Sequence, residues 1–504
     1  MNEYISFLAD WKCKITDSRG FSQANDYISV INKPLFCMKT KSLFIILSLA
    51  ATLLCSNTYA QDWQNRAFYE DATRTLKERN VAKVIFIGDS ITQLWMQTHP
   101  QFFFDNGFIA RGISGQTSSH ALLRFREEIV ETGAQTAVIL IGTNDIARNA
   151  GKISLECIAG NIKSMCEMAV SNKVRPVLCS LIPAKRFYWY KGNDVFPDRD
   201  IPILNDMLRS YAQKHNITFI DLFTPLADHT PGNENGLPAE YSGDGVHPTA
   251  AAYSIMEGLI LPALGKESRK IAKQPKPALR LMSYNVRNSI GMDRITNYRR
   301  TAAVIADFAP DAVAIQEVDS CTARSNGVYA LGQLAKYAGF HATFCPSIDY
   351  RGGKYGIGLL SRKAPLSVKR IPLPGREEQR SLLIAEFDGY YYCCTHLSLT
   401  AEDRMASLDI IVEEMSKLDS SKDIFIAGDF NAGPGSDFIA GMKKHFDFIS
   451  NTGTFTFPSD NPDRTIDYIA RYKAAGQEFK PKASFVPGAA VASDHRPVVC
   501  ELDR

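Results

Sequence analysis

From Val81 onward, short aliphatic runs alternate with stretches whose apolar residues recur at helical spacing. Val84 to Ile87, Ala137 to Ile141, Pro176 to Leu181 and Ile217 to Leu222 read as strands, and Ser119 to Glu131 and Ile203 to His215 as amphipathic helices between them. Such alternation predicts a parallel sheet covered by helices. Beyond Pro277 the rhythm changes. Leu279 to Val286, Ala312 to Val318, Tyr355 to Ser361, Ser381 to Phe387, Tyr390 to Leu399, Asp423 to Ala427, Thr465 to Ala470 and Pro497 to Leu502 are apolar or aromatic runs, several too close together to admit a helix. That predicts mixed or antiparallel pairing. Between the two patterns, residues 266–277 are rich in Lys and Pro and lack an apolar period, as an extended linker would be. The expected organisation is a leader over 1–60, an α/β domain over 61–265, the linker, and a second, different domain over 278–504.

A chain of 504 residues is too long for one ordinary core, which agrees with two globular units. Charged residues make up 22% and no stretch after the leader is apolar enough to cross a bilayer, so no transmembrane span is expected in the mature chain. A net charge of +3 offers no broad footprint for nucleic acid. Lys39 and Lys41 precede the apolar run Leu43 to Leu54 and the small-residue exit Thr58-Tyr59-Ala60, the layout of a signal peptide cleaved after Ala60. Export to the periplasm or the medium follows as an expectation, with Met38 as an alternative start. Cys55 raises lipoprotein anchoring, which Leu54, standing where a small residue is needed, disfavours. Of the eleven cysteines, eight lie beyond the leader, with neither metal-ligand spacing nor the density of a disulfide scaffold. Buried thiols are expected, and Cys393 and Cys394, adjacent on a strand, should face opposite ways.

Ile85-Phe86-Ile87-Gly88-Asp89-Ser90 carries a strand into a tight turn, and open α/β sheets gather ligands at the carboxyl ends of their strands. Ser90 is therefore a candidate nucleophile. Alone, Asp89-Ser90 reads equally well as a helix cap. Gly112-Ile113-Ser114-Gly115-Gln116-Thr117 adds a turn rich in backbone donors, Gly142-Thr143-Asn144-Asp145 an amide after another strand, and Asp244-Gly245-Val246-His247-Pro248 an acid three residues before a histidine. Together these four segments resemble the SGNH (GDSL-type) hydrolase family over roughly residues 62–265. The resemblance implies a flavodoxin-like three-layer α/β/α fold without a cofactor, in which Ser90 attacks an ester carbonyl, His247 takes its proton and Asp244 holds the imidazole. It also implies an oxyanion hole formed by the Ser90 backbone, the N–H of Gly115 and the side-chain amide of Asn144. Asp145 is assigned no chemistry. His99, His120 and His229 read as surface or capping residues, and Trp95 as a wall.

In the second domain, oxygen-bearing side chains sit at strand ends: Asn285, Glu317, Asp429 and, two residues on, Asn431. Hard oxygen donors of this kind suit Mg²⁺. With His396 in Thr395-His396-Leu397, Asp467 in Ile466-Asp467-Tyr468, and Asp494-His495 before Arg496-Pro497, they resemble the endonuclease/exonuclease/phosphatase superfamily over roughly residues 278–503. The resemblance implies a four-layer α/β sandwich. It further implies one Mg²⁺ or Mn²⁺ held by Glu317 with Asn285 and Asp494, a water activated by Asp429, a phosphate held by Asn431, and phosphate contacts from His495, positioned by Asp467, and from His396. Lys354 to Gly358 and Arg380 stay outside this set. A histidine at 396 disfavours abasic-site repair, since some nuclease branches carry tyrosine there.

The favoured reading is an exported bifunctional hydrolase, with a serine carboxylester (acyl or acetyl) hydrolase domain and a Mg²⁺-dependent phosphodiesterase or phosphatase domain, acting on small-molecule, lipid or glycan esters. The competing readings are a secreted nuclease with an accessory esterase, and a protein in which one domain has lost catalysis and binds glycan or lipid. No broad hydrophobic lid is evident over 61–265, which favours a short acyl group.

Overall fold

The computed structural model describes residues 62, 63, 65–79, 83–265 and 276–504. The expected leader and cleavage site, and residues 266–275 of the expected linker, lie outside the described residues. Strands β1 (Val84–Gly88), β2 (Phe108–Gly112), β3 (Thr136–Leu140), β4 (Arg175–Cys179) and β5 (Thr218–Ile220) form one parallel sheet in the order β2-β1-β3-β4-β5. Helix α1 (Glu70–Glu78) precedes it. Helices α2 (Ser90–Thr98), α3 (Pro100–Asn106), α4 (Ser118–Phe125), α5 (Thr143–Ile146), α6 (Leu155–Ser171), α7 (Pro197–Lys214) and α8 (Ala250–Leu264) follow in order. Alternate strand residues feed two cores. Ile85, Ile87 and Ile139 meet Phe125, Ile162 and Leu204 of α4, α6 and α7, whereas Val84, Phe86 and Val138 meet Trp95, Phe103 and Tyr253 of α2, α3 and α8. The three layers and flavodoxin-like strand order are those expected. Because β1 has β2 on one side and β3 on the other, the sheet reverses its winding at β1, and Ser90 leaves the sheet at that switch point.

The second domain is built on two six-stranded mixed sheets. One, in the order β16-β17-β6-β7-β9-β8, contains β6 (Leu279–Asn285), β7 (Ala312–Ser320), β8 (His341–Tyr350), β9 (Gly353–Ser361), β16 (Lys480–Phe485) and β17 (Val498–Asp503). The other, β10-β11-β12-β13-β15-β14, contains β10 (Ser367–Leu373), β11 (Arg380–Glu386), β12 (Tyr390–His396), β13 (Asp423–Asp429), β14 (Phe446–Phe448) and β15 (Asp467–Tyr472). Leu281, Ala314 and Leu359 pack against Tyr392, Phe425 and Ile469 between them. Helices α9 (Tyr298–Phe308) and α10 (Ala330–Ala338) cover the first sheet, and α11 (Ala401–Ser416) and α12 (Asp437–His445) the second, completing the four layers. Cys394 faces the inner core and Cys393 the outer one, and all eight cysteines among the described residues are free, six of them buried.

Trp63–Arg504 is one compact unit. Tyr69, Ala72 and Ile113 bury against Tyr284, Val286 and Ala303, and Arg111 of β2 pairs with Asp307 of α9.

Candidate functional sites

Glycine at 88 is required where β1 turns into α2, because a Cβ there would stand 2.5 Å from the Leu140 carbonyl oxygen. Asp89 caps α2, its Oδ1 accepting from Ile91 N at 2.9 Å, and Ser90 opens the helix. His247 Nε2 lies 2.9 Å from Ser90 Oγ, and His247 Nδ1 lies 2.7 Å from Asp244 Oδ2. Asp244 Oδ1 accepts the backbone N–H groups of Val246 and His247 at 2.9 and 2.8 Å. Burial alone would raise this carboxyl, but those bonds and the His247 side chain hold it below the usual range. The Trp189 ring lies 6.5 Å from that of His247 and nearly parallel to it.

The structure thus brings Ser90, His247 and Asp244 into one relay. Asn144 is buried beside it, at the carboxyl end of β3. Its Nδ2 donates to Gln116 O at 3.0 Å and to Asp89 Oδ2 at 3.3 Å, and its Oδ1 accepts from Asn149 at 2.7 Å. Gly115 turns with φ +79, open space lying where a Cβ would be, and the adjacent Ser114 N–H is held by Gln93 Oε1 at 2.9 Å. Asp89 is fully enclosed, and burial, opposed by His247, pushes its carboxyl up to about 7. Asp145 accepts the N–H and hydroxyl of Ser118 at 2.7 and 2.6 Å, bracing α4 rather than Asn144. His120 completes the capping box of α4, His99 pairs with Glu257, His229 is exposed, and Trp95 is core.

In the second domain the strand ends converge on Asp429. Register aligns His396 of β12 and Asp467 of β15 with it. Asn285 Nδ2 donates to Glu317 Oε1 at 2.9 Å and Asp429 Oδ2 at 3.1 Å. His396 Nε2 and His495 Nε2 stand 3.6 and 3.7 Å from Asp429 Oδ2, and His495 Nδ1 lies 3.0 Å from Asp467 Oδ2. Glu317 adopts φ +59 where the β7–β9 register shifts between Ile315 and Val318. Asn431, at φ +47, donates its N–H to Asp429 Oδ1 and its amide to Leu397 O, each at 2.9 Å. Asp494 is at the rim, 3.4 Å from Arg287.

The two imidazoles differ in charge. Burial would lower His495, but Asp467, by charge and hydrogen bond, together with Asp429 and Asp494, raises it to about 10. Burial, with the charges of Arg380 and His495, holds His396 well below its ordinary value and keeps it neutral. Burial and neighbouring carboxylates raise both Asp429 and Glu317. Glu317, Asp429, Asp467 and Asp494 outweigh one imidazolium, and Asp467 Oδ1 is buried without a hydrogen-bond partner. An enclosed surplus of hard oxygen donors fits a divalent cation. Ligand atoms of Asp429, Asp467 and His495 fall within 4.8 Å of one another. A cationic His495 is a poor ligand, so the Glu317 side of the cluster suits the ion better.

Sequence reasoning passed over Thr456, whose hydroxyl donates to Asp467 Oδ2 at 2.6 Å, and Ser493, whose hydroxyl donates to Asn285 O at 2.7 Å. Arg380, which the sequence reading named but left outside the site, is buried between Glu377 and Glu378 and acts on His396. Thr456 lies in a loop with no motif around it. The nearby Ser493-Asp494-His495 motif could have flagged Ser493.

Residues 86–255 match the model of the GDSL-like Lipase/Acylhydrolase family, and residues 282–498 that of the Endonuclease/Exonuclease/phosphatase family. A provisionally assigned acylhydrolase of Bacteroides fragilis is 39% identical over 42% of this chain and 100% of its own, with a TM-score of 0.39. A GDSL-like lipase of Bacteroides thetaiotaomicron is also 39% identical, over 40% of this chain and 98% of its own, at a TM-score of 0.37. An endonuclease/exonuclease/phosphatase of Beutenbergia cavernae is 22% identical over 45% of this chain and 72% of its own, again at 0.37. No curated protein matches the chain. The chain belongs to the GDSL-like lipase/acylhydrolase family through its first domain, and its second domain is similar to the endonuclease/exonuclease/phosphatase family over the matched residues.

Proposed function

We propose that this is an exported bifunctional hydrolase, with a serine carboxylester hydrolase and a divalent-metal-dependent phosphodiesterase or phosphatase in one chain. The Ser90–His247–Asp244 relay is the observation that carries the first activity. Ser90 Oγ attacks the ester carbonyl as its proton passes to His247 Nε2, and His247 returns that proton to the leaving alcohol. Asp244 keeps Nδ1 protonated and stabilises the imidazolium. Water then releases the acyl group by the same relay. Asn144 and the Gly115 turn stand beside the serine as donors for the oxyanion. A short acyl group on a small molecule, lipid or glycan is the substrate class proposed.

For the second activity, Glu317, Asn285 and Asp494 would hold Mg²⁺ or Mn²⁺. Asn285 would offer its Oδ1 as the ligand atom. When bound, the ion supplies Lewis-acid polarisation of the phosphoryl group. Asp429, made more basic by its surroundings, orients a water and takes its proton. His495, cationic and braced by Asp467, donates to the phosphate; neutral His396 and the amide of Asn431 contact it from their own strand ends. The leader supports export. Two retained side-chain sets speak against a domain that merely binds, and the low net charge speaks against nucleic acid as the main substrate.

Ser90→Ala and Glu317→Gln, assayed with para-nitrophenyl acetate and with bis-para-nitrophenyl phosphate plus Mg²⁺, test the reading. Each variant should lose one activity and keep the other; Ser90→Ala with unchanged ester hydrolysis contradicts it.

A further inference from the structure

Helix α1, which precedes the esterase sheet, reaches both centres. Tyr69, the residue before it, donates its hydroxyl to Gly112 O at 2.8 Å, where the chain enters the turn that carries Gly115. Two residues on, Asp71 is completely buried, and its carboxylate faces the second domain. Ala490 N donates to Asp71 Oδ1 at 3.1 Å, Val491 N donates to Oδ2 at 3.0 Å, and Ala492 N donates to Oδ2 as well. Three consecutive amides aimed at one carboxylate fix the course of that segment. It runs directly into Ser493, Asp494 and His495.

The same segment is tied down from its own side by Met292 N to Val491 O at 2.8 Å and by Ser459 Oγ to Ser493 O at 2.6 Å. Two turns further along α1, Glu78 Oε2 accepts Gly488 N at 3.1 Å. Those ties leave the N–H groups of 490–492 to Asp71, and without it one buried and two part-buried amides lose a charged acceptor. The cost of three such losses is large against the energy that holds one loop in place. A misplacement of about 1 Å at a reacting group lowers rate by about 10²-fold.

We infer that Asp71, supplied by the esterase half of the chain, is a positioning residue of the phosphoesterase centre, acting through the 490–492 amides on Asp494 and His495. The inference rests on the functional reading given above for the second domain. The second domain is therefore incomplete without the helix that precedes the first, and the fusion is a catalytic requirement rather than a tether.

The full chain carrying Asp71→Ala tests this, with bis-para-nitrophenyl phosphate and Mg²⁺ as one probe and amide hydrogen exchange as the other. The expected result is a kcat lower by tenfold or more, a KM within twofold, unchanged hydrolysis of para-nitrophenyl acetate, and faster exchange over 490–496. Asp71→Asn retains one carbonyl oxygen as acceptor and should fall between wild type and Asp71→Ala. Wild-type kcat in both variants, or unchanged exchange at 490–492, overturns the inference. So does a parallel loss of both activities with a lowered thermal midpoint, which would make Asp71 a packing residue. A wild type inert toward the diester counts against the functional reading, and the exchange measurement still decides whether Asp71 holds the loop.

Discussion

Arg111 and Asp307 join the two domains through hydrogen bonds of 2.9 and 2.5 Å, with the arginine side chain fully buried and the aspartate 5% exposed. The guanidinium also lies over the Tyr69 ring, 4.7 Å from its centre. Removing one partner strands the other charge without water, which costs about 3–5 kcal/mol, whereas an apolar pair of similar volume is near neutral. Arg111→Met should lower the thermal midpoint markedly, and Arg111→Met with Asp307→Leu should recover most of it. Equal losses in the single and double variants would mean that the pair contributes little.

Asn144 differs from the relay residues in that its amide donates to Asp89 and Gln116 rather than toward Ser90 Oγ. If it stabilises the oxyanion, Asn144→Ala should reduce kcat for para-nitrophenyl acetate by about 10²–10³, with KM little changed. A fall in KM and kcat together with a lowered thermal midpoint would instead make it a structural tie between the two turns.

Asp89 gives a pH signature. Its carboxyl is held at about 7 when folded, against an ordinary value of 3.8, so between those limits the folded chain keeps a proton that the unfolded chain has lost. Stability from this group therefore falls as pH rises from about 4 to 7, and the loss is complete above that. One pH unit of difference is worth about 1.4 kcal/mol, so the whole effect is on the order of 4 kcal/mol. Asp89→Asn should match wild type near pH 4 and become progressively more stable up to about pH 7. A constant difference across that range would contradict the assignment.

Much of this was legible in the sequence where strand and site coincide. Gly88-Asp89-Ser90 and Gly428-Asp429 follow apolar runs directly, so both the strand and the residue at its end stand out. Strand β2 was not legible, because Arg111 interrupts its apolar run. A buried arginine is held there by Asp307, 196 residues away, and by the Tyr69 ring beneath it. Strands β8, β10 and β16 were missed as well. Each lies at the edge of its sheet and is partly exposed, which removes the apolar signal. Asp71 reads as an ordinary acidic residue in a helix first turn, and its three backbone partners more than 400 residues away appear only in the fold.

Glu317 tests the cation separately from turnover. Glu317→Gln removes a charge from the oxygen cluster and should weaken Mn²⁺ binding, measured calorimetrically, by at least about tenfold. Unchanged Mn²⁺ affinity would move the ion to the Asp429–Asp467 side.

The two proposed centres are chemically independent in the unmodified protein. Treating it with a serine-directed fluorophosphonate, and separately with EDTA, while following both chromogenic substrates, measures that independence. The fluorophosphonate should label one site per chain, at Ser90, and abolish only ester hydrolysis, and EDTA should abolish only phosphodiester hydrolysis. Loss of both activities to a single reagent, or of neither to either, would contradict it.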